Sequence, residues 1–444
     1  MEELIHYVWK HKIFPLKALA TTDGQPIEVI DPGLHNHGAG PDFFNAKVRI
    51  DGQLWVGNVE IHVRASDWFR HNHQSDPAYD NVILHVVGID DAKVPYPHSP
   101  QRIFPQMVLG VPDYVKENYD GLARADSFPR CAHVVSSFPK LVIHSWMSAL
   151  QVERLEERSK AVKERWEALG RNWEETLFVT IARNFGFGKN GDAFERWAKS
   201  FPLISLGKHR DSLMQIEAVF FGQAGMLNDP HEDYSAYYRQ IRSEYLFMQK
   251  KFSLKPIDPT LWKMMRLRPE NFPQVRIAQL AMLYYQNRLD MSRLIEAADR
   301  EAIHRLLQTN VSDYWTSHYS FKDEESPQSG KRISPTSIDL IIMNSVVPLL
   351  FAYGRYTGDD SLCDRAFDLM EQLKPENNRY IRDWENAGIS CESAADSQAL
   401  MQLSTKYCEP HNCLRCRFGV EYIRRTPNFL SEEQEVREKQ EEQD

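Results

Sequence analysis

Apolar and polar positions alternate most cleanly from Phe43 to Val63, where two such runs flank Asp51-Gly52. Asp-Gly between alternating runs specifies a tight hairpin, because both turn residues must adopt positive φ. In strict register Ile50 faces Gln53, Val48 faces Trp55, Ala46 faces Gly57 and Phe44 faces Val59, which makes one face apolar. The other face carries Asn45, Lys47, Arg49, Asn58, Glu60 and His62, since side chains two apart on a strand point the same way. Glu60 and His62 are therefore expected to look outward together.

Before the hairpin, Leu4, Ile5, Val8, Trp9 and Ile13 have helical spacing, which Phe14-Pro15 ends, and Pro26–Ile30 reads as a strand. After it come two more apolar β-rich runs, Asn81–Val87 and Ile103–Leu109, while 114–139 is rich in breakers and reads as irregular. From Leu141 the period changes to 3.6. Helical patterns follow over 174–185, 212–227, 233–251, 277–285, 291–307, 337–356, 361–373 and 391–407. Small residues in 212–227 imply that another element packs close there. The expected class is α+β: an N-terminal mixed α/β domain over 1–130, a large all-α domain over 140–430, and an acidic tail over 431–444.

Composition narrows the class only a little. Forty-two per cent hydrophobic residues is the level of a folded chain. Of the formal charge of −9, the tail supplies −5 through seven acids and two bases. The body is thus only mildly acidic, which argues against a protein that coats nucleic-acid phosphates but leaves room for a local basic groove. The amino terminus lacks a basic region followed by an apolar core, so cytoplasmic residence is expected. The most apolar run, 338–353, is too short for a bilayer and carries Asp339, Asn344 and Pro348, so it reads as a buried core helix rather than a membrane span.

Candidate chemistry concentrates in two places. Pro41-Asp42 before the first hairpin strand and Glu60-Ile61-His62 in the second resemble the signature of the PD-(D/E)XK nuclease superfamily, with His62 where that pattern has lysine. The resemblance implies that Asp42 and Glu60 hold a Mg²⁺ or Mn²⁺ ion while His62 handles the attacking water. Strict register opposes this by pairing Asp42 with Ile61, away from Glu60; a bulge at Gly57 or in the Gly38–Pro41 stretch removes the conflict. In that superfamily a leading helix often adds an acid, which would be Glu3 here. Histidines also cluster, and a zinc site drawn from His35, His37, His62, His73 and His85 is an alternative, although His85 in an apolar strand also suits a satisfied core residue.

The second place is Cys408, Cys413 and Cys416, three thiols in nine residues. With Cys391 as fourth member, or else His411, they suit structural zinc or an iron–sulfur cluster, and reduced, packed thiols are the plain alternative. Arg266, Arg268 and Arg276 surround two prolines before a helix and are candidates for collecting phosphate, or for pairing with neighbouring acids. Taken together, Gly40-Pro-Asp-Phe-Phe, Gly57-Asn-Val-Glu-Ile-His, Asn81-Val-Ile-Leu-His-Val, the arginine segment and the cysteine knuckle resemble an uncharacterised bacterial family, a domain of unknown function, over nearly the full length. Three functions are carried forward. They are a metal-dependent phosphodiesterase or nuclease acting on nucleic acid, a non-enzymatic helical scaffold that keeps a degenerate nuclease-like domain, and a histidine-ligated zinc hydrolase.

Overall fold

The Asp51-Gly52 turn closes the expected hairpin, with φ of 47° and 78°, between β4 (Phe43–Ile50) and β5 (Gln53–Arg64). These strands sit inside a seven-stranded mixed sheet of the computed structural model, which describes residues 1–14, 19–36, 38–96, 99–228 and 233–425. The acidic tail, and His37 with it, lies outside the described residues. Ahead of the hairpin come α1 (Glu2–Lys10), β1 (Leu19–Ala20), β2 (Pro26–Asp31) and β3 (Leu34–His35). After it come α2 (Asp67–Arg70), β6 (Val82–Ile89), β7 (Pro95–Tyr96), β8 (Ser99–Ile103), β9 (Gln106–Val108) and α3 (Asp113–Arg124). The order is β1-β2-β4-β5-β6-β9, with β3 also on β4 and with β6 and β9 parallel to β5. Two short strands, β7 and β8, pair by themselves.

The expected register holds from Ile50↔Gln53 to Ala46↔Gly57 and then slips: Phe43, not Phe44, pairs with Val59. A bulge lies between Phe43 and Ala46, with Asn45 at φ 57°, rather than at Gly57 or in the loop before the strand. Gly57 has a different duty, since a Cβ there would lie 2.4 Å from the Ile83 side chain on β6. The slip puts Phe43 wholly inside and moves Asp42 one position along β5, beside Glu60.

The chain falls into two compact units. Among the described residues, the first comprises those of 1–146, 383–389 and 403–425, and the second those of 147–382 and 390–402, so the boundary falls within the long helix Lys140–Ala168. The cysteine knuckle therefore belongs with the sheet and not with the helical unit. In the first unit α3 packs on the helix Arg417–Ile423; the Asn118 amide donates to the carbonyls of Tyr422, Ile423 and Arg425, and the Tyr7 hydroxyl of α1 donates to that of Val420.

The second unit is helical and has one large apolar core running from Leu155 to Ala395. Its most apolar helix, Pro335–Thr357, is a core element as expected, with 72% of its most apolar window buried. Pro348 withholds one helical N–H there. A π-turn over Ile342–Val346 absorbs the misfit, and the Asn184 side chain donates to the Asn344 carbonyl.

Glu217 is buried in the same unit, where its carboxyl accepts from the hydroxyls of Ser312 (2.6 Å) and Tyr237 (2.9 Å). Burial raises its pKa from the ordinary carboxyl value to about 7, and those two hydrogen bonds only moderate the rise. A carboxyl whose folded pKa exceeds its unfolded value stabilises the fold at low pH and loses that contribution as pH rises through the folded value. Stability should thus decline between about pH 4.5 and pH 7, by up to roughly 3 kcal/mol from this group. Glu217→Gln is expected to flatten that slope, read as the difference between urea midpoints of the two proteins at pH 5 and pH 8.

Candidate metal centre

The bulge in β4 is what assembles the site. It brings Asp42 next to Glu60: the Asp42 N–H donates to Glu60 Oε2 (3.1 Å), and the N–H of the following residue, Ile61, donates to Asp42 Oδ2 (2.9 Å). Asp42 therefore does not face away from Glu60, as strict register required.

Glu60 and His62 do not look outward. They are 4% and 1% exposed, because 67–79, comprising α2 and two 3₁₀ turns, folds back over that face of β5. This cover brings Trp68, His71 and His73. Glu60 Oε1 lies 3.3 Å from His73 Nε2 and 3.6 Å from His62 Nε2. His62, His71 and His73 each offer a ring nitrogen within 4.8 Å of the others. From α1, His6 Nε2 reaches to 3.2 Å from Asp42 Oδ2, so the leading helix contributes an imidazole in place of the expected Glu3 carboxylate. His6 and Glu3 also line a cleft of about 360 Å³ with Glu2, His35 and Asn36.

The tautomer of His62 follows from the hydrogen bonds behind it. The Gln106 amide donates to Asp90 Oδ1 (2.6 Å) and to the Ala92 carbonyl (3.2 Å), which leaves its Oε1 facing His85 Nδ1 at 3.1 Å. An amide oxygen only accepts, so His85 carries its proton on Nδ1 and presents a bare Nε2. That nitrogen is 2.9 Å from His62 Nδ1, which must then donate. His62 Nε2 is left as a lone pair pointing at His71 Nδ1 (3.2 Å) and Glu60. His85 is thus the satisfied core histidine and stands behind the centre, while His35 stacks on Phe43.

Electrostatics agree with this geometry. Burial, reinforced by the other imidazoles, drives the His62 pKa far below its ordinary value, and burial lowers that of His85 to about 4. Burial, then the neighbouring Asp42, raises Glu60 to about 9. His73 Nε2 is buried with no hydrogen-bond partner, although Glu60 is near. An orphaned imidazole nitrogen beside a carboxylate and two further imidazoles fits a cation, which satisfies every one of these atoms. The mixed nitrogen and oxygen donors suit Mn²⁺ or Zn²⁺ better than Mg²⁺.

The other sequence candidates divide. Arg266 and Arg268 are exposed on the second unit. Arg276 lies inside the helix Pro273–Tyr285, 5% exposed, donating to Asn271 and Gln279 and stacked over Phe187, so it is committed to the core and is not a phosphate collector. Cys391 belongs to the second unit, its thiol facing the Ser393 carbonyl at 3.9 Å. Sequence reasoning did not single out His6, His71 or Gln106 as site residues. For His71 a signal existed, the His-Asn-His spacing with His73.

A family model described as a protein of unknown function (DUF2851) matches residues 2–379. No curated protein matches the chain. No solved structure matches it either.

Proposed function

Because the chain belongs to the DUF2851 family, whose description assigns no activity, its chemistry rests on the site, and we propose that it is a metal-dependent hydrolase of phosphodiester bonds. The convergence of Asp42 and Glu60 with the imidazoles of His62, His71 and His73 carries this reading. The substrate class is supported by the Pro41-Asp42 and Glu60-Ile61-His62 pattern. A Mn²⁺ or Zn²⁺ ion held there supplies Lewis acidity toward the scissile group and lowers the pKa of a water.

The chain's own groups do the rest. His71, His73 and Glu60 are the holding set, since His71 is exposed, His73 is orphaned beside the carboxyl of Glu60, and the two imidazoles lie within one ion's reach. His62, neutral and with its Nε2 lone pair inward, serves as a further ligand or accepts the water's proton. Asp42, held by the Ile61 N–H and beside His6, orients the open side of the site. The same donor set accommodates a zinc hydrolase, a second reading favoured by the three imidazoles within one ion's reach.

Gln106 gives the test, because it fixes the tautomer chain without touching the site. Metal-stripped protein should regain hydrolysis of bis-p-nitrophenyl phosphate or single-stranded DNA on adding Mn²⁺ or Zn²⁺. Gln106→Leu should weaken metal binding in calorimetry by about 10- to 100-fold, the scale of losing a partner behind a ligand. Protein that binds neither ion, or hydrolyses equally well without one, would refute the proposal.

A further inference from the structure

A second cluster of metal-ligating side chains lies in the first unit. Cys131, in the loop after α3, lines one small cavity of about 20 Å³ together with Cys408, Cys413 and Cys416. All four are free, and all four belong to the first unit. Sequence reading found three of them and looked to Cys391 for the fourth; Cys131 takes that place, 277 positions before Cys408. We propose that Cys131, Cys408, Cys413 and Cys416 form a four-thiolate site for a soft metal centre, either a zinc ion or an iron–sulfur cluster.

Local structure supports this beyond proximity. Cys408 ends a π-turn, Ser404–Cys408, and the next eight residues curl back with the Asn412 N–H donating to the Tyr407 carbonyl and the Cys416 N–H to those of Asn412 and Cys413. The backbone N–H groups of Phe418 and Gly419 lie beside the Cys416 sulfur and favour its anion, while the Trp146 indole N–H is buried with no hydrogen-bond partner. Backbone donors beside a sulfur are poor partners for a thiol and good ones for a thiolate. Gly419 is required for that turn, because a Cβ there would lie 2.1 Å from the Cys413 carbonyl oxygen. Arg130 stands beside Cys413 and favours its anion.

Four thiolates around one small cavity would repel one another without a cation, and metal–sulfur bonds of about 2.3 Å would replace that repulsion with ligation. The donor set is all sulfur, which suits zinc or iron–sulfur and not a hard cation.

The test uses full-length protein purified without oxygen. A mercurial that modifies thiols should release one zinc per chain as about four thiols react, or else bleach a broad absorption band near 400 nm accompanied by iron and sulfide. The first result identifies zinc and the second a cluster, and each supports the site. Cys131→Ser should lose this metal as completely as Cys408→Ser, whereas Cys391→Ser should retain it. Wild-type protein in which neither metal accompanies the thiols and the four react freely overturns the proposal, whether or not the variants fold. So does a Cys391→Ser protein that loses the metal while Cys131→Ser keeps it.

Discussion

Glu60→Gln is expected to reduce metal-dependent phosphodiester hydrolysis by on the order of 10³-fold, the scale of removing a preorganised charge from the reacting centre. Its metal affinity should fall further than in Gln106→Leu, because a ligand is lost and not merely its orientation. The melting temperature of the metal-free protein should stay within about 2 °C of the parent. That combination follows from the burial of Glu60, which is 4% exposed and pushed up to about 9. Burial thus favours the uncharged carboxyl in metal-free protein, and an amide of the same shape still accepts the Asp42 N–H. Activity assays and thermal melts of both proteins decide the matter. Undiminished hydrolysis would place the chemistry elsewhere, and a collapse of the metal-free fold would make Glu60 a structural residue.

The second large effect is on stability. Gly222 sits in the helix Leu213–Gln223, where a Cβ would lie 2.1 Å from the ring of Tyr245, a residue 2% exposed on the helix Ala236–Phe252. Two terms oppose each other in Gly222→Ala. Helix propensity favours alanine by about 1 kcal/mol, whereas forcing a methyl into a filled core costs about 1–3 kcal/mol or more. The ring cannot swing aside easily, because its hydroxyl is held by Gln223 and neighbouring side chains enclose it. The clash wins. Gly222→Ala should lower the stability of the helical unit by roughly 2–3 kcal/mol or more in urea unfolding, and a gain would show that the two helices separate without cost.

Much of the scaffold was legible because it depends on local signals. The Asp-Gly turn, the apolar partners nearest it and the long helices follow from period and turn chemistry, as did the close helix packing signalled by small residues around Gly222. The helix α3 was not seen. Only Val115 and Leu122 on it are buried, so it shows no apolar stripe, and its stretch carries Gly121. The site was half legible. Asp42, Glu60 and His62 could be named from residue type and spacing, but their burial could not. The segment that covers them is a four-residue helix and two short turns, with too little periodic content to announce a layer. Asn45 gave no sign that the ladder would slip there, and long-range pairings such as Cys131 with the knuckle leave no trace in local pattern.

The first unit is threaded through the second in sequence, and this sets an order of events during synthesis. The sheet, Asp42 and the four histidines of the site are all made before residue 147, yet the backbone carbonyls that accept from Tyr7 of α1 and Asn118 of α3 lie beyond Leu403. At ~5–20 residues per second, the intervening chain takes roughly 10–50 s to appear. Throughout that interval the surfaces of α1 and α3 that the helix Arg417–Ile423 later covers stand open, and Cys131 waits without its three partners. In a nascent chain of this protein the proposed histidine centre can thus assemble early, whereas the proposed cysteine centre can close only once Cys416 has been made.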